Sequence, residues 1–332
     1  MSNKNVLISG AAGYIASFAT RAFIKSGFNV TIVDNLSTGY AWNLNPQAEF
    51  IQAELTDLND LQNKLSGKSF SGLIHFAAKA LVGESVSNPD LYYDNNVFGS
   101  INLFKVARGL GVKKIIFSST AAVYGEPKAE LTEDHQKLPI NPYGNSKLAV
   151  ERYLQDSAFA YDQRAIVLRY FNACGALEDG SIGECHKPET HLIPLVVGAA
   201  LGIYPELKVF GGDYPTPDGS AVRDYIHVED LAAAHLLAFD SLDTRADGYF
   251  NVFNLGTGTG HSVLEVIKVA EAVMGKAVPH KIVDRRAGDP AILVANPSKI
   301  HKTLGWKAQK TDLKTTIEAV YKWMQTDPER FK

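Results

Sequence analysis

The chain is poor in cysteine. Of its 332 residues only two are cysteines, Cys174 and Cys185, eleven positions apart. That excludes a disulfide framework, and the pair lacks the spacing of a cysteine zinc site or a redox motif. No metal-ligand set is expected. Long apolar runs are also missing: the longest, Leu192 to Tyr204, has 13 residues and includes two glycines and a proline. A bilayer span needs about 20, so no membrane helix is expected. Neither sign of charge dominates, with 33 Lys and Arg against 36 Asp and Glu. A net −3 offers no global basic field for a nucleic-acid polymer. The opening Met1-Ser2-Asn3-Lys4 leads straight into a strand-like run without an apolar leader, which makes the cytoplasm the expected compartment.

An average globular composition is present, with 45 % apolar and 21 % charged residues and no repeat. The first half alternates strand and helix. Strands are expected at Val6–Ser9, Val30–Asp34, Phe50–Ala53, Leu73–Phe76, Lys114–Ser118 and Ala165–Arg169, and helices at Tyr14–Ser26, Asp57–Leu65, Tyr92–Leu110 and Pro142–Ala158. Runs such as Ile115-Ile116-Phe117 lack polar alternation, so they are buried on both faces, as parallel βαβ crossovers require. The expected class is α/β, a Rossmann-type doubly wound parallel sheet. After about residue 173 Gly and Pro cluster and the loops lengthen. Residues 1–173 therefore read as a dinucleotide-binding domain, and residues 174–332 as a smaller α/β substrate lobe that can return segments to the first.

Two local patterns carry chemistry. Gly10-Ala11-Ala12-Gly13-Tyr14-Ile15-Ala16 joins the first strand to the first helix. Its glycines allow a tight turn and a close approach to pyrophosphate, and the helix N-terminus attracts the phosphates. Asp34 ends the second strand 18 residues after Ala16, where a carboxylate accepts both ribose hydroxyls and repels a 2′-phosphate. NAD is favoured over NADP. The second pattern is Tyr143-Gly144-Asn145-Ser146-Lys147, whose i, i+4 spacing places phenol and ammonium on one helix face. A nearby cation lowers a phenol's pKa from its ordinary ~10 and fits it for general acid/base work. Ser118-Ser119-Thr120, at the carboxyl end of a buried strand, is placed to donate hydroxyls to a reacting oxygen.

With these patterns the chain resembles the extended short-chain dehydrogenase/reductase superfamily and, within it, the UDP-glucose 4-epimerase family. The resemblance rests on Gly10 to Ala16, Val33 to Gly39, His75 to Ala78, Val82 to Val86, Tyr93 to Asn96, Phe117 to Tyr124, Pro142 to Lys147 and Arg169 to Asn172. In the second lobe it continues through Phe210 to Thr216, Asp218-Gly219, Arg223 to Val228, Asn254 to Gly256 and Arg285 to Asp289. It implies reversible C4 epimerisation of UDP-glucose and UDP-galactose through a 4-keto sugar, using tightly bound NAD in galactose metabolism. It also implies a homodimer.

Carried across by position, Tyr143 is the implied catalytic acid/base, Lys147 orients the nicotinamide ribose and depresses the Tyr143 pKa, and Thr120 meets the sugar O4. Cofactor contacts fall on Gly10, Gly13, Tyr14, Ile15, Asp34, Asn35, Leu36, Ser37, Thr38, Gly39, Glu54, Leu55, Phe76, Ala77, Ala78, Ala80, Asn95 and Phe171, besides Tyr143 and Lys147. Substrate contacts fall on Asn172, His191, Leu192, Phe210, Arg223, Tyr225, Arg286, Asp289 and Leu293, besides Thr120 and Tyr143. The two arginines supply planar, permanently charged donors for a diphosphate.

Four positions depart from the common pattern. Ala16 stands where many members have glycine, Glu54 replaces an aspartate beside adenine, Lys79 precedes a site, here Ala80, held by lysine in some members, and His191 replaces an asparagine. By the resemblance, Leu293, of intermediate size, stands where the space around the sugar C2 substituent is bounded, so UDP-GlcNAc/GalNAc stay open; UDP-pentoses and UDP-uronates stay open as other 4-epimerase substrates. A 4,6-dehydratase would need an acid and a base just after the strand hydroxyls, where Ala121 and Ala122 stand. A non-catalytic NAD-sensing protein would not need the Tyr143 and Lys147 pair.

Overall fold

The computed structural model describes residues 4–125, 130–286 and 289–331. Ala287 and Gly288, inside the Arg285 to Asp289 run, lie outside the described residues. Six strands stand within two residues of their expected places: β1 (Asn5–Ser9), β2 (Asn29–Asp34), β3 (Glu49–Gln52), β4 (Gly72–His75), β5 (Lys114–Thr120) and β6 (Arg164–Tyr170). They pair in parallel, and the order β6-β5-β4-β1-β2-β3 reverses direction of travel at β1. Ligands of open α/β sheets bind at such a switch point, beyond the carboxyl ends of the strands.

Strand alternation divides the core in two. Val6, Ile8, Ile74, Ile116, Ile166 and Leu168 face α1 (Tyr14–Lys25) and the helix Val228–Ser241. Leu7, Leu73, Ile115, Phe117 and Val167 face α2 (Leu58–Leu65) and the helices Gly99–Gly109 and Pro142–Ala160. Both faces are covered, which explains strands without polar alternation.

The chain returns to this sheet after residue 173. Phe250–Leu255 adds a seventh parallel strand beside β6, in register from Phe250 opposite Ala165 to Leu255 opposite Tyr170. Its asparagines, Asn251 and Asn254, obscure the strand in the sequence. Asn254 is fully buried because its carboxamide accepts from the Tyr124 hydroxyl (2.7 Å) and donates to the Leu131 carbonyl (2.9 Å). The helix Val228–Ser241 likewise packs on the sheet, with Phe239 against Phe23 and Phe28 at 5.4 and 5.6 Å.

A second correction concerns Tyr92–Leu110, expected as one helix. It breaks into a short turn Pro89–Tyr92, a π-helical turn Tyr93–Phe98 and the helix Gly99–Gly109. Within this stretch the Ser100 hydroxyl donates to the Asn96 carbonyl, a local competitor for the i→i−4 ladder, while the Asn96 carboxamide is held by the Lys79 backbone.

The remaining residues build a second core where the helices Leu192–Ala200, Val263–Met274 and Leu313–Thr326 meet through Val197, Ile267, Val320 and Trp323. Short strand pairs frame it, with Val222–Arg223 between His261–Ser262 and Ile292–Leu293. Both cysteines are free and buried. Among the described residues no helix is long and apolar enough to cross a membrane.

Candidate active site

The glycine turn lies at the carboxyl end of β1. Gly10 has φ +80°, and a Cβ there would come 2.5 Å from the backbone nitrogen of Ala77. The left-handed conformation and this close approach both demand glycine. Gly13 then precedes α1, so the unpaired amides of that helix, starting at Tyr14 and Ile15, open onto the switch point. Tyr14 turns inward, donating its hydroxyl to the Gly175 carbonyl at 2.6 Å.

Asp34 closes one side. Its carboxylate accepts from the backbone amides of Ala12 (3.0 Å) and Leu36 (2.8 Å), which locks the turn after β2 to the turn after β1. Burial raises its pKa and those amide bonds oppose the rise. Asn35 accepts from the Ser37 amide and donates to Glu54 at 2.9 Å, so Asn35, Leu36, Ser37, Thr38, Gly39, Glu54 and Leu55 form one rim. Phe76, whose amide donates to Ser9, leads Ala77, Ala78 and Ala80 along the next.

The helix Pro142–Ala160 supplies the acid/base pair. It starts where Asn141 accepts from the Gly144 amide (2.8 Å) and Pro142 sets the first turn. Gly144 is required by packing, since a Cβ there would stand 2.6 Å from the Ala122 carbonyl oxygen. The close approach brings Tyr143 beside Thr120, the last residue of β5, whose side chain is near enough to favour the phenolate. Of the three strand hydroxyls only Thr120 takes this direction. Ser118 is bonded to the Tyr170 hydroxyl, and Ser119, on the opposite strand face, donates to Glu151 at 2.5 Å.

The expected electrostatics need correcting. Burial pushes the Tyr143 phenol above its ordinary value, and the Thr120 side chain pulls the other way. Lys147 donates to the Ser118 carbonyl (2.8 Å), and burial brings its own pKa down to about 7, with Glu151 opposing. In this structure burial, and not Lys147, sets the direction of the phenol's shift. Lys147 is a buried amine close to half-protonated at neutral pH, whose hydrogen bond to protein is to one carbonyl, leaving donor capacity for a ligand hydroxyl.

The substrate candidates fall into two groups. Asn172, His191, Leu192 and Tyr225 line one small cavity together with Glu184. His191 turns its Nδ1 to Glu184 at 2.7 Å. Phe210, Arg223, Arg286 and Asp289 form the second group: the Arg286 guanidinium lies 4.3 Å from the Phe210 ring centre, and Arg223 is 4.0 Å from the Asp289 carboxylate. Arg223 also donates to the Pro290 carbonyl at 2.8 Å. Arg285 is taken up by Asp213 (2.7 Å), whereas among the described residues no carboxylate pairs with Arg286. Leu293 packs with Ala121, Phe171 and Leu148, just beyond Thr120. A larger cavity of about 360 Å³, lined by Glu133, Lys137, Glu151, Arg169 and Lys299 among others, contains none of the candidates.

Sequence reading missed several supporting residues. Asn95 only donates to its neighbour Asn96 (2.9 Å), whereas buried Asn96 clamps Lys79, accepting from its amide at 2.8 Å and donating to its carbonyl at 3.0 Å. Asn96 also donates to Ser146 (3.1 Å), between Tyr143 and Lys147. Asn96→Ala leaves these backbone groups unpaired and is expected to cost about 1–3 kcal/mol in urea denaturation; an unchanged midpoint would count against the clamp. His75 lies between Ser9 (2.6 Å) and Ser100 (2.7 Å), kept neutral by burial, which lowers its pKa to about 3 with a further push from Lys147. Asp224, between Arg223 and Tyr225, accepts from the amides of Thr257, Gly258 and Ala295 and so fixes both neighbours.

Residues 6–256 match the model of the NAD dependent epimerase/dehydratase family. The chain is 43% identical over 327 residues to the UDP-glucose 4-epimerase of Lacticaseibacillus casei, covering 98% of each chain. It is 45% identical over 324 residues to that of Halalkalibacterium halodurans, covering 97% of this chain and 96% of the relative. The solved UDP-glucose 4-epimerase of Bifidobacterium longum, in complex with NAD+ and UDP, superposes with a TM-score of 0.92 at 40% identity, covering 98% of this chain and all of that one. On sequence and on fold alike, the chain belongs to the NAD dependent epimerase/dehydratase family.

Proposed function

We propose that the protein interconverts UDP-glucose and UDP-galactose by epimerisation at C4, with NAD as its resident cofactor. The observation that carries this reading is the meeting of Tyr143 and Thr120 at the carboxyl end of β5, with proton-inert Ala121 and Ala122 next in line. That set serves proton exchange at one oxygen and lacks the extra acid and base of a dehydratase.

The residues fit NAD. The Gly10 turn leaves room that a Cβ would fill, Asp34 presents a fixed carboxylate to a ribose, and Lys147 is a buried amine with spare donors. NAD supplies a hydride acceptor and donor when bound. Tyr143 takes the O4 proton as C4 loses hydride, which leaves a 4-keto sugar. Arg223 and Arg286 hold the diphosphate while the sugar turns over, and Tyr143 returns the proton after hydride comes back to the opposite face. Asn172, Leu192, Phe210 and Tyr225 hold the UDP portion, and Thr120 orients O4. On this reading residues 1–173 serve the cofactor, residues 174–332 serve the UDP-sugar, and the chain works as a homodimer.

Purified protein given UDP-galactose without added NAD should form UDP-glucose; no turnover with NAD demonstrably bound would sink the proposal. A panel including UDP-GlcNAc and UDP-arabinose tests the room beside Leu293. Gly10→Ala forces a side chain into left-handed backbone against Ala77, so at least ~10-fold less NAD should copurify. Equal NAD content in the variant would show that the turn does not hold the cofactor.

A further inference from the structure

Glu184, His186, Glu189 and His191 precede the helix Leu192–Ala200, and one ligand atom from each falls within 4.8 Å of all the others. The sequence signal is Glu-x-His-x-x-Glu-x-His, which a search limited to cysteine spacing passes over. The two carboxylates are nearly inaccessible, with side-chain exposures of 1% for Glu184 and 2% for Glu189. Yet Oε2 of Glu184, Oε2 of Glu189 and Nδ1 of His186 have no hydrogen-bond partner. Buried polar atoms are ordinarily paired, and an unpaired carboxylate oxygen is costly. His186 Nδ1 and Glu189 Oε2 face each other at 3.5 Å without hydrogen-bond geometry, and Glu184 Oε2 has no partner among the described residues.

The spacing identifies the kind of ligand. Tetrahedral zinc with bonds near 2.05 Å places neighbouring ligand atoms about 3.3 Å apart. Three of the four spacings match: His186 Nδ1 lies 3.3 Å from Glu184 Oε1 and 3.5 Å from Glu189 Oε2, and His191 Nδ1 lies 3.3 Å from Glu189 Oε1, while its 2.7 Å to Glu184 Oε1 is a direct ion pair that an ion would have to open. Two imidazoles with two carboxylates suit zinc and its transition-metal neighbours rather than magnesium or calcium. The outer contacts are also present: Glu189 accepts from the amides of Thr190 (2.7 Å) and His191 (2.9 Å), and the Trp323 indole holds the Glu184 carbonyl at 2.8 Å.

We propose that Glu184, His186, Glu189 and His191 bind one divalent transition-metal ion, zinc by preference, as a structural staple of the substrate lobe. Four protein ligands fill a tetrahedron and leave no open coordination position, so the ion takes no part in the reaction. Its position explains what it holds. His186 packs edge-on against Tyr14 at 6.3 Å, the first residue of the dinucleotide helix, and Glu184 and His191 line the cavity shared with Asn172, Leu192 and Tyr225. The ion ties this segment to both.

Untagged full-length protein, loaded with zinc and desalted, should retain about one equivalent by plasma mass spectrometry, and stripping with a chelator should lower the melting temperature by at least ~5 °C. Zinc should restore it and magnesium should not. Glu184→Gln and His186→Ala should each retain less than about a tenth of an equivalent. Should those variants fail to fold, cobalt added to the stripped wild-type chain gives the visible absorption of a tetrahedral site. Loss of zinc on desalting with no thermal effect, retention by both folded variants, or an octahedral cobalt spectrum would each overturn the site and leave the four side chains as ion pairs.

Discussion

Tyr143→Phe is expected to lower kcat by about 10²–10⁴-fold, the scale of a lost general acid/base. The substitution is conservative for packing. Phenylalanine keeps the edge-on contact with Tyr92, whose ring centre lies 6.4 Å away, and leaves Gly144 and Lys147 undisturbed on their helix. What disappears is the hydroxyl and its interaction with the Thr120 side chain, which favours the phenolate. NAD content and UDP affinity should stay within about threefold of wild type, because the loss concerns an interaction that strengthens only in the transition state. The pH profile adds a second reading. Removal of the O4 proton needs the ionised phenol, and burial raises the Tyr143 pKa. Wild-type kcat/KM should therefore rise with pH on a limb that the Phe variant lacks. A variant with kcat within threefold of wild type, or with the same limb, removes Tyr143 from the role.

How much of this was legible in the sequence follows from how local each cause is. The Gly10 turn, Asp34 and the Tyr143–Lys147 spacing are set within a few residues of themselves, and the six strands of the first half show through their apolar runs. The seventh strand does not, since burial of Asn254 is satisfied by Tyr124 and Leu131, more than 120 positions away. Ser118, Ser119 and Thr120 read as three equivalent hydroxyls until the pleat turns them to Tyr170, Glu151 and Tyr143. Asn95 and Asn96 are likewise indistinguishable until the π turn buries one of them. The direction of the Tyr143 and Lys147 shifts depends on how much water the fold removes, which spacing alone does not reveal.

The largest stability effect should come from the buried pair that anchors the catalytic helix. Glu151, one turn beyond Lys147, receives the Arg169 guanidinium in two bonds of 2.9 and 2.5 Å, and both side chains are almost wholly inaccessible. Arg169 also donates to the Tyr124 hydroxyl at 2.9 Å, and Tyr124 bonds Asn254 on the seventh strand. One network thus joins β5, β6, the seventh strand and the helix that carries Tyr143. Removing one partner leaves the other charge buried and unpaired, so Glu151→Leu and Arg169→Met should each destabilise by about 3–5 kcal/mol in reversible denaturation. The desolvation cost of the pair is large, and taking out both charges removes that cost along with the attraction. Glu151→Leu combined with Arg169→Met should therefore be milder than either single variant, a coupling of the sign that double-mutant cycles resolve. Additive losses would mean that the two side chains act through separate contacts. The double variant should also turn over more slowly than its stability suggests, because Ser119 loses its acceptor and the end of β5, where Thr120 meets Tyr143, is no longer held against the helix.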